Sequence, residues 1–148
     1  MKPAVLALAA VLLFFAGAAR AQFTMVPAPV TQGAPMPSQA DSPQAYKKDF
    51  AGHVYKAYPM RIYRGKLPPL LYSVMLTETQ IDENGNVLGV SIVRPPAVDA
   101  VAPFIVQLIK RAAPFPAPVK MGPATILEIW LVDRSGAFQV DTLTEGQR

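Results

Sequence analysis

Residues 70–93 constrain the fold more than any other stretch of this chain. They form two runs rich in apolar and β-branched residues, separated by the sequence DENGN at residues 82–86. An Asn-Gly pair between such runs is typical of a β-hairpin, because glycine adopts a positive φ at little cost and asparagine tolerates one. The sequence therefore predicts two antiparallel strands. The second spans Val87–Arg94 and ends at Pro95-Pro96, since neither proline can donate to a ladder.

Residues 1–21 have the three parts of a secretory signal peptide. Lys2 gives a positive start, residues 4–19 form an unbroken apolar run, and Ala19-Arg20-Ala21 has small residues at both positions that cleavage requires. As a helix the run would reach about 24 Å, which is short of a hydrocarbon core of about 30 Å. We expect secretion with cleavage before Gln22. An uncleaved inner-membrane anchor facing the periplasm is the alternative.

The composition argues against several classes of function. The chain has no cysteine, which excludes disulfides, thiolate metal sites and cysteine nucleophiles. Its net charge of +4 falls to +2 without Lys2 and Arg20, so the charge balance does not indicate a nucleic-acid partner. The only histidine, His53, is interpreted as a surface residue because no second ligand type clusters with it. No nucleophile elbow, P-loop or dinucleotide fingerprint occurs, so the sequence predicts a non-catalytic protein without metal or cofactor.

Residues 22–45 are predicted to be a Pro-rich disordered linker. Their five prolines are separated mainly by alanine, glutamine, serine and threonine. This composition cannot bury a core and favours an extended polyproline conformation, which could reach roughly 70 Å at about 3.1 Å per residue. The segment is interpreted either as a spacer or Pro-rich ligand, or as a solvated tail.

Residues 49–62 are predicted to form the first helix, with Asp49 as its N-cap. Apolar residues recur at every fourth position from Phe50 to Ile62, although Pro59 predicts a kink or a restart. Cations greatly outnumber anions around this helix. They form either a solvated face or a face that contacts anionic lipid or a cell-wall polymer, and the residues concerned are Lys56, Arg61, Arg64 and Lys66.

The second half of the chain completes the same small domain. Residues 98–112 are predicted to be a helix whose apolar face consists of Val101, Phe104, Ile105, Leu108, Ile109 and Ala112. A rigid connector, APFPAP, follows at residues 113–118, and strands are predicted at 125–132 and 137–143. The order α-β-β-α-β-β predicts an α+β domain over residues 46–148. Two helices would pack on one face of a three- to four-stranded antiparallel sheet.

These features together resemble the TonB C-terminal domain family, which includes TolA-like periplasmic domains. The resemblance rests on the hairpin motif Ile81-Asp82-x-x-Gly85-x-Val87, the apolar helix that ends in Lys110-Arg111-Ala112-Ala113, and the following Pro114-Phe115-Pro116. It covers about residues 50–143. It implies a periplasmic binding module that engages an envelope protein such as an outer-membrane receptor in transmembrane transport. The partner's extended segment would add to a sheet edge by β-augmentation.

The expected binding edge comprises the last two strands, because an edge strand presents unpaired N–H and C=O groups. The residues assigned to this edge are Thr125, Leu127, Ile129, Leu131, Phe138, Val140 and Thr142.

Two other functions remain open at this point. One is an anchored energy transducer that retains the N-terminal helix. The other is a structural envelope protein that binds the cell wall through its basic helix. The sequence predicts neither the oligomeric state nor the identity of the partner.

Overall fold

The computed structural model describes residues 22–30 and 33–148, so the predicted signal peptide lies outside the described residues. The described elements are α1 (Pro43–Ala57), a 3₁₀ turn (Pro59–Arg61), β1 (Ser73–Ile81), β2 (Val87–Arg94), α2 (Val101–Ala112), β3 (Ala124–Val132), β4 (Phe138–Val140) and a second 3₁₀ turn (Asp141–Leu143). The four strands form one antiparallel sheet in the order β2-β1-β3-β4. The predicted mixed α+β fold and its element order are confirmed.

One face of the sheet is covered by both helices. Alternate residues of β1 and β3 are buried, and Met75 and Trp130 on this face join the buried residues of α1 and α2 in one core. All six apolar residues predicted to face inward from α2 are buried. The covered face also carries polar groups, and the indole nitrogen of Trp130 donates a hydrogen bond of 2.9 Å to the Thr77 hydroxyl.

Helix α1 begins at Pro43 rather than near Asp49. Ser42 is the N-cap and its hydroxyl accepts a hydrogen bond from the Ala45 amide at 3.3 Å, while Pro43 occupies a first-turn position that needs no donor. The buried stripe therefore starts one turn earlier, at Tyr46. Asp49 instead accepts a hydrogen bond of 2.5 Å from the Ser38 hydroxyl. The restart predicted at Pro59 is confirmed, since that proline opens a 3₁₀ turn.

The segment predicted as a disordered linker packs on the domain where it is described. Phe23 is only 4% exposed, and its ring contacts Tyr72 and Phe104 at centroid distances of 5.6 and 5.4 Å. Further along, the Ser38 amide donates to the Ala117 carbonyl at 2.9 Å. The prediction of disorder is wrong for these residues, because the Phe23 ring packs against two aromatic rings of the domain and the Ser38 backbone bonds to the connector. We call residues 22–30 the strap.

The hairpin turn follows the sequence prediction closely. The Asp82 carboxylate accepts hydrogen bonds from the amides of Asn84 and Asn86, each at 2.8 Å, and Gly85 has a φ of +87°. The turn also contacts the connector, since the Phe115 amide donates to the Gly85 carbonyl at 2.8 Å. A Cβ at Gly85 would overlap the carbonyl oxygen of Phe115. Glycine is therefore required here for both its conformation and its lack of a side chain.

We expect Gly85→Ala to lower the free energy of unfolding by about 3 kcal/mol, because it combines backbone strain with a clash against backbone. Chemical denaturation would measure the change. Gly89→Ala is the matched control, since a Cβ added at Gly89 would meet no atom within 4 Å and Gly89 has no positive φ. A similar loss of stability in both variants would contradict the requirement for glycine at position 85.

Candidate functional site

The predicted binding edge begins with β4, which is shorter than the sequence indicates. Strand pairing covers only Phe138–Val140, after which the chain enters the 3₁₀ turn Asp141–Leu143. Phe138 and Val140 are both 0% exposed and belong to the core. Thr142 lies in the turn, where its hydroxyl donates a hydrogen bond of 2.6 Å to the Glu128 carboxylate. These three residues are therefore not presented to a partner.

The outer side of β4 is covered by residues 62–67, which we call the outer segment. Ile62 forms a parallel bridge with Phe138, and the Tyr63 amide donates to the Phe138 carbonyl at 2.9 Å. Leu67 in turn forms a parallel bridge with Gln147, so residues 141–148, the tail, lie against the outer segment. The assignment of a free augmentation edge to β4 is consequently wrong.

The Gln139 side chain holds the outer segment and the tail against β4. It is 1% exposed, and its side-chain nitrogen donates to the carbonyls of Tyr63 and Gly65 at 2.8 and 2.7 Å. Its side-chain oxygen accepts from the Thr144 hydroxyl at 2.8 Å and the Glu145 amide at 3.1 Å. One amide group thus joins β4 to both the outer segment and the tail.

The other four predicted residues share a surface, but that surface is a sheet face. Strand β3 pairs with β1 along its whole length, and its last three residues pair with β4 on the other side. Thr125, Leu127, Ile129 and Leu131 alternate with the buried positions and lie on the face opposite the helices. Leu127 is 48% exposed there.

Strand β2 is an open edge of the sheet along its whole length. It pairs only with β1, and no other strand among residues 22–30 and 33–148 lies beside it. Residues 124–129 of β3 also have no strand on their outer side among the described residues, because β4 pairs only with the last three residues of β3. The exposed apolar side chains of β2 are Leu88, Ile92 and Val93. The bounds of β2 are predicted correctly from the sequence, but its position at the edge is not. A hairpin whose second strand leads into a helix, rather than into a neighbouring strand, is the signal that would have found it.

Two irregularities divide β2. The pairing register with β1 skips Val93 near the end of the strand and Leu88 near its start. Between them, Gly89, Val90, Ser91 and Ile92 pair regularly. Bulges bend and twist a strand, so this edge offers only a short regular template.

The predicted basic face is not one surface. Only Lys56 lies on α1, where it lines a groove beside His53 and residues 33–40. Arg61 lies beside the Gly136 turn, whereas Arg64 and Lys66 are exposed on the outer segment. The helix ends too early to align these cations.

His53 is half-buried and not the predicted surface residue. Its Nε2 donates to the Ala112 carbonyl at 2.7 Å, and its ring contacts Phe115 at 4.8 Å. Burial lowers the pKa of His53, with Lys56 adding to the effect. The ring therefore joins α1 to the end of α2 in its neutral form.

Among the described residues, no group of three His, Cys, Asp or Glu side chains could hold a metal ion. None of the helices in that part of the chain is long and apolar enough to cross a membrane.

Comparisons with protein-family profiles, curated proteins and solved structures find no match to this chain.

Gln139→Leu should lower the free energy of unfolding by about 3 kcal/mol, because it removes the donor to the Tyr63 and Gly65 carbonyls and the acceptor for Thr144 and Glu145. It should also speed hydrogen exchange at the Tyr63 amide, which bonds to β4. Denaturation and hydrogen exchange would measure these effects. Gln147→Ala is the control, since its side chain makes only exposed contacts of 3.3 and 3.4 Å. An unchanged exchange rate at the Tyr63 amide would show that Gln139 does not hold the outer segment against β4.

Glu128 gives a prediction for pH dependence. The side chain is 0% exposed, and burial raises its pKa although Thr142 and Lys47, at 3.7 Å, favour the charged form. Because its pKa is higher in the folded than in the unfolded chain, Glu128 stabilises the fold when it is protonated. This contribution is complete below pH 4.5, the ordinary pKa of glutamate, and is lost as the pH rises through the pKa of the folded state. Relative to Glu128→Gln, the wild type should therefore lose stability over that range in denaturation experiments. Glu83→Gln, at an exposed turn, should retain the wild-type profile, and a parallel profile for Glu128→Gln would contradict the assignment.

Proposed function

We propose that this protein is a non-catalytic periplasmic module that binds an extended segment of an envelope protein by β-augmentation on β2. The observation that carries the proposal is the difference between the two ends of the sheet. Strand β4 is covered by the outer segment, whereas β2 has no strand beside it at any position among the described residues. Unpaired backbone groups on an edge strand can bond to an added strand.

The side chains of β2 favour an apolar partner segment. Leu88, Ile92 and Val93 are 65%, 44% and 52% exposed, so their burial would add hydrophobic free energy to the backbone hydrogen bonds. Strands that must remain unpaired commonly carry lysine or inward-pointing charges, and the regular stretch Gly89, Val90, Ser91 and Ile92 has none.

The two register irregularities set the length of the partner segment. Only four consecutive β2 residues pair regularly between them. A partner would therefore bond along a short stretch of backbone, and indefinite edge-to-edge association would be blunted by the bulges. A short extended segment of a receptor, which we call the receptor box, fits this requirement better than a long strand.

The resemblance to the TonB C-terminal domain supports the location and the class of partner. The predicted signal peptide would direct the domain to the periplasm, where it could meet the periplasmic segments of outer-membrane receptors. Under this proposal, the binding edge differs from the β3–β4 edge expected from the sequence.

Ile92→Lys should weaken the binding of receptor-box peptides by about fivefold, equivalent to roughly 1 kcal/mol, because an added strand would crowd and desolvate the ammonium group. Isothermal calorimetry would give the affinity, and amide chemical shifts would locate the peptide on the chain. Shifts should concentrate on residues 87–94.

Leu131→Lys is the matched control, because Leu131 lies on the face opposite the helices but is paired with Val74 on one side and with Gln139 on the other, so an added strand cannot reach its backbone. Its affinity should remain within about twofold of the wild type. An equal loss in both variants, or shifts confined to β3 and β4, would overturn the assignment of β2.

A further inference from the structure

We propose that the slot now filled by the strap is a second docking site, for a partner segment that presents an aromatic residue within an extended, proline-containing stretch. The strap occupies this site in cis and competes with the partner. The slot is formed by Tyr72, Phe104, Arg111 and Ala57, none of which belongs to β2. It is therefore separate from the edge described above.

The first contact defines the side chain that the slot accepts. The Phe23 ring stacks on Tyr72 with an interplanar angle of 12° and meets Phe104 edge-on at 84°. Both are preferred geometries for aromatic pairs, and together they bury the ring almost completely. The slot thus selects an aromatic side chain by shape.

The next two contacts involve only the backbone of the strap. Three residues after Phe23, the Val26 carbonyl accepts a hydrogen bond of 2.8 Å from the Arg111 guanidinium. Four residues further on, the Val30 amide donates to the Ala57 carbonyl at 2.8 Å. These bonds fix the direction and extension of the segment but leave its other side chains free to vary.

Prolines suit the intervening positions. Pro27 and Pro29 lie between the two backbone contacts, and proline favours the extended conformation that such a span requires. Recognition of preformed extended segments by aromatic-lined grooves is a general mode of peptide binding. The partner segment would therefore present an aromatic residue to the slot. Its backbone would supply an acceptor carbonyl three residues after that aromatic residue and a donor amide seven residues after it, with proline between these two positions.

Most side chains of the strap remain accessible to solvent. Of its nine residues, only Phe23 is buried, while Gln22, Thr24, Met25, Ala28 and Val30 are exposed. Segments with few buried apolar contacts open at low free-energy cost. Local release of the strap would expose the slot without unfolding the sheet, and a partner at sufficient concentration would then replace it.

A labelled peptide of residues 22–30 tests the proposal against the full chain. Fluorescence anisotropy would measure its affinity for the wild type and for Phe23→Ala, in which the cis strap loses its anchor. If the strap fills the slot at least nine-tenths of the time, Phe23→Ala should bind the peptide about tenfold more tightly than the wild type. The same peptide with alanine in place of phenylalanine should bind neither protein.

A second variant tests the proposal independently in case Phe23→Ala does not fold. Val30→Pro removes the amide that bonds to Ala57 but keeps the aromatic anchor, and it should increase peptide affinity in the same direction. Amide shifts from the peptide should fall on residues around Tyr72 and Phe104. Equal affinity for the wild type and both variants, or no binding to either variant, would overturn the proposal.

A second copy of the chain is the competing occupant. Exchange of straps between copies would produce wild-type dimers that form with increasing concentration and dissociate on addition of the peptide. Sedimentation of the wild type would detect them, and their presence would overturn the assignment to a separate partner. A monomer at all concentrations, together with the tenfold gain above, would support it.

Discussion

The packing of Phe115 holds three distant parts of this chain together. Its ring stacks on Phe50 of α1 at a centroid distance of 4.6 Å, and its amide bonds to Gly85 in the hairpin turn. The neighbouring Pro116 carbonyl accepts a hydrogen bond of 2.8 Å from the Tyr46 hydroxyl, also on α1. The hairpin, the first helix and the connector are therefore positioned by one residue and its neighbour. A change at any of the three contacts should disturb the other two, because interiors pack too densely to absorb it locally.

The two ends of the sheet differ because only one has polar side chains that bind neighbouring backbone. At β4, the buried Gln139 satisfies carbonyl and amide groups on both the outer segment and the tail. Strand β2 has valine, leucine, isoleucine and glycine at most positions, and their side chains cannot donate or accept hydrogen bonds, so only its backbone could bond a neighbouring segment. The chain thus closes one edge with side-chain hydrogen bonds, while bulges alone modify the other.

Local patterns predicted the elements well, and the misses involve contacts between distant residues. The Asn84-Gly85 turn and the apolar face of α2 are local signals, and both are confirmed. The cover over β4 could not be predicted, because residues 62–67 carry no strand pattern and Tyr63 is held by a glutamine 76 positions away. The burial of Phe23 was missed for the same reason: a single aromatic residue in a Pro-rich stretch has no periodicity.

The path of residues 22–30 depends on one aromatic side chain rather than on the Pro-rich composition around it. While the Phe23 ring packs against Tyr72 and Phe104, these residues follow the surface of the domain and contribute no spacer length. Composition alone predicts an extended, solvated segment, because prolines and small polar residues cannot bury a core. A single phenylalanine with a complementary site on the domain is sufficient to reverse that expectation for nine residues.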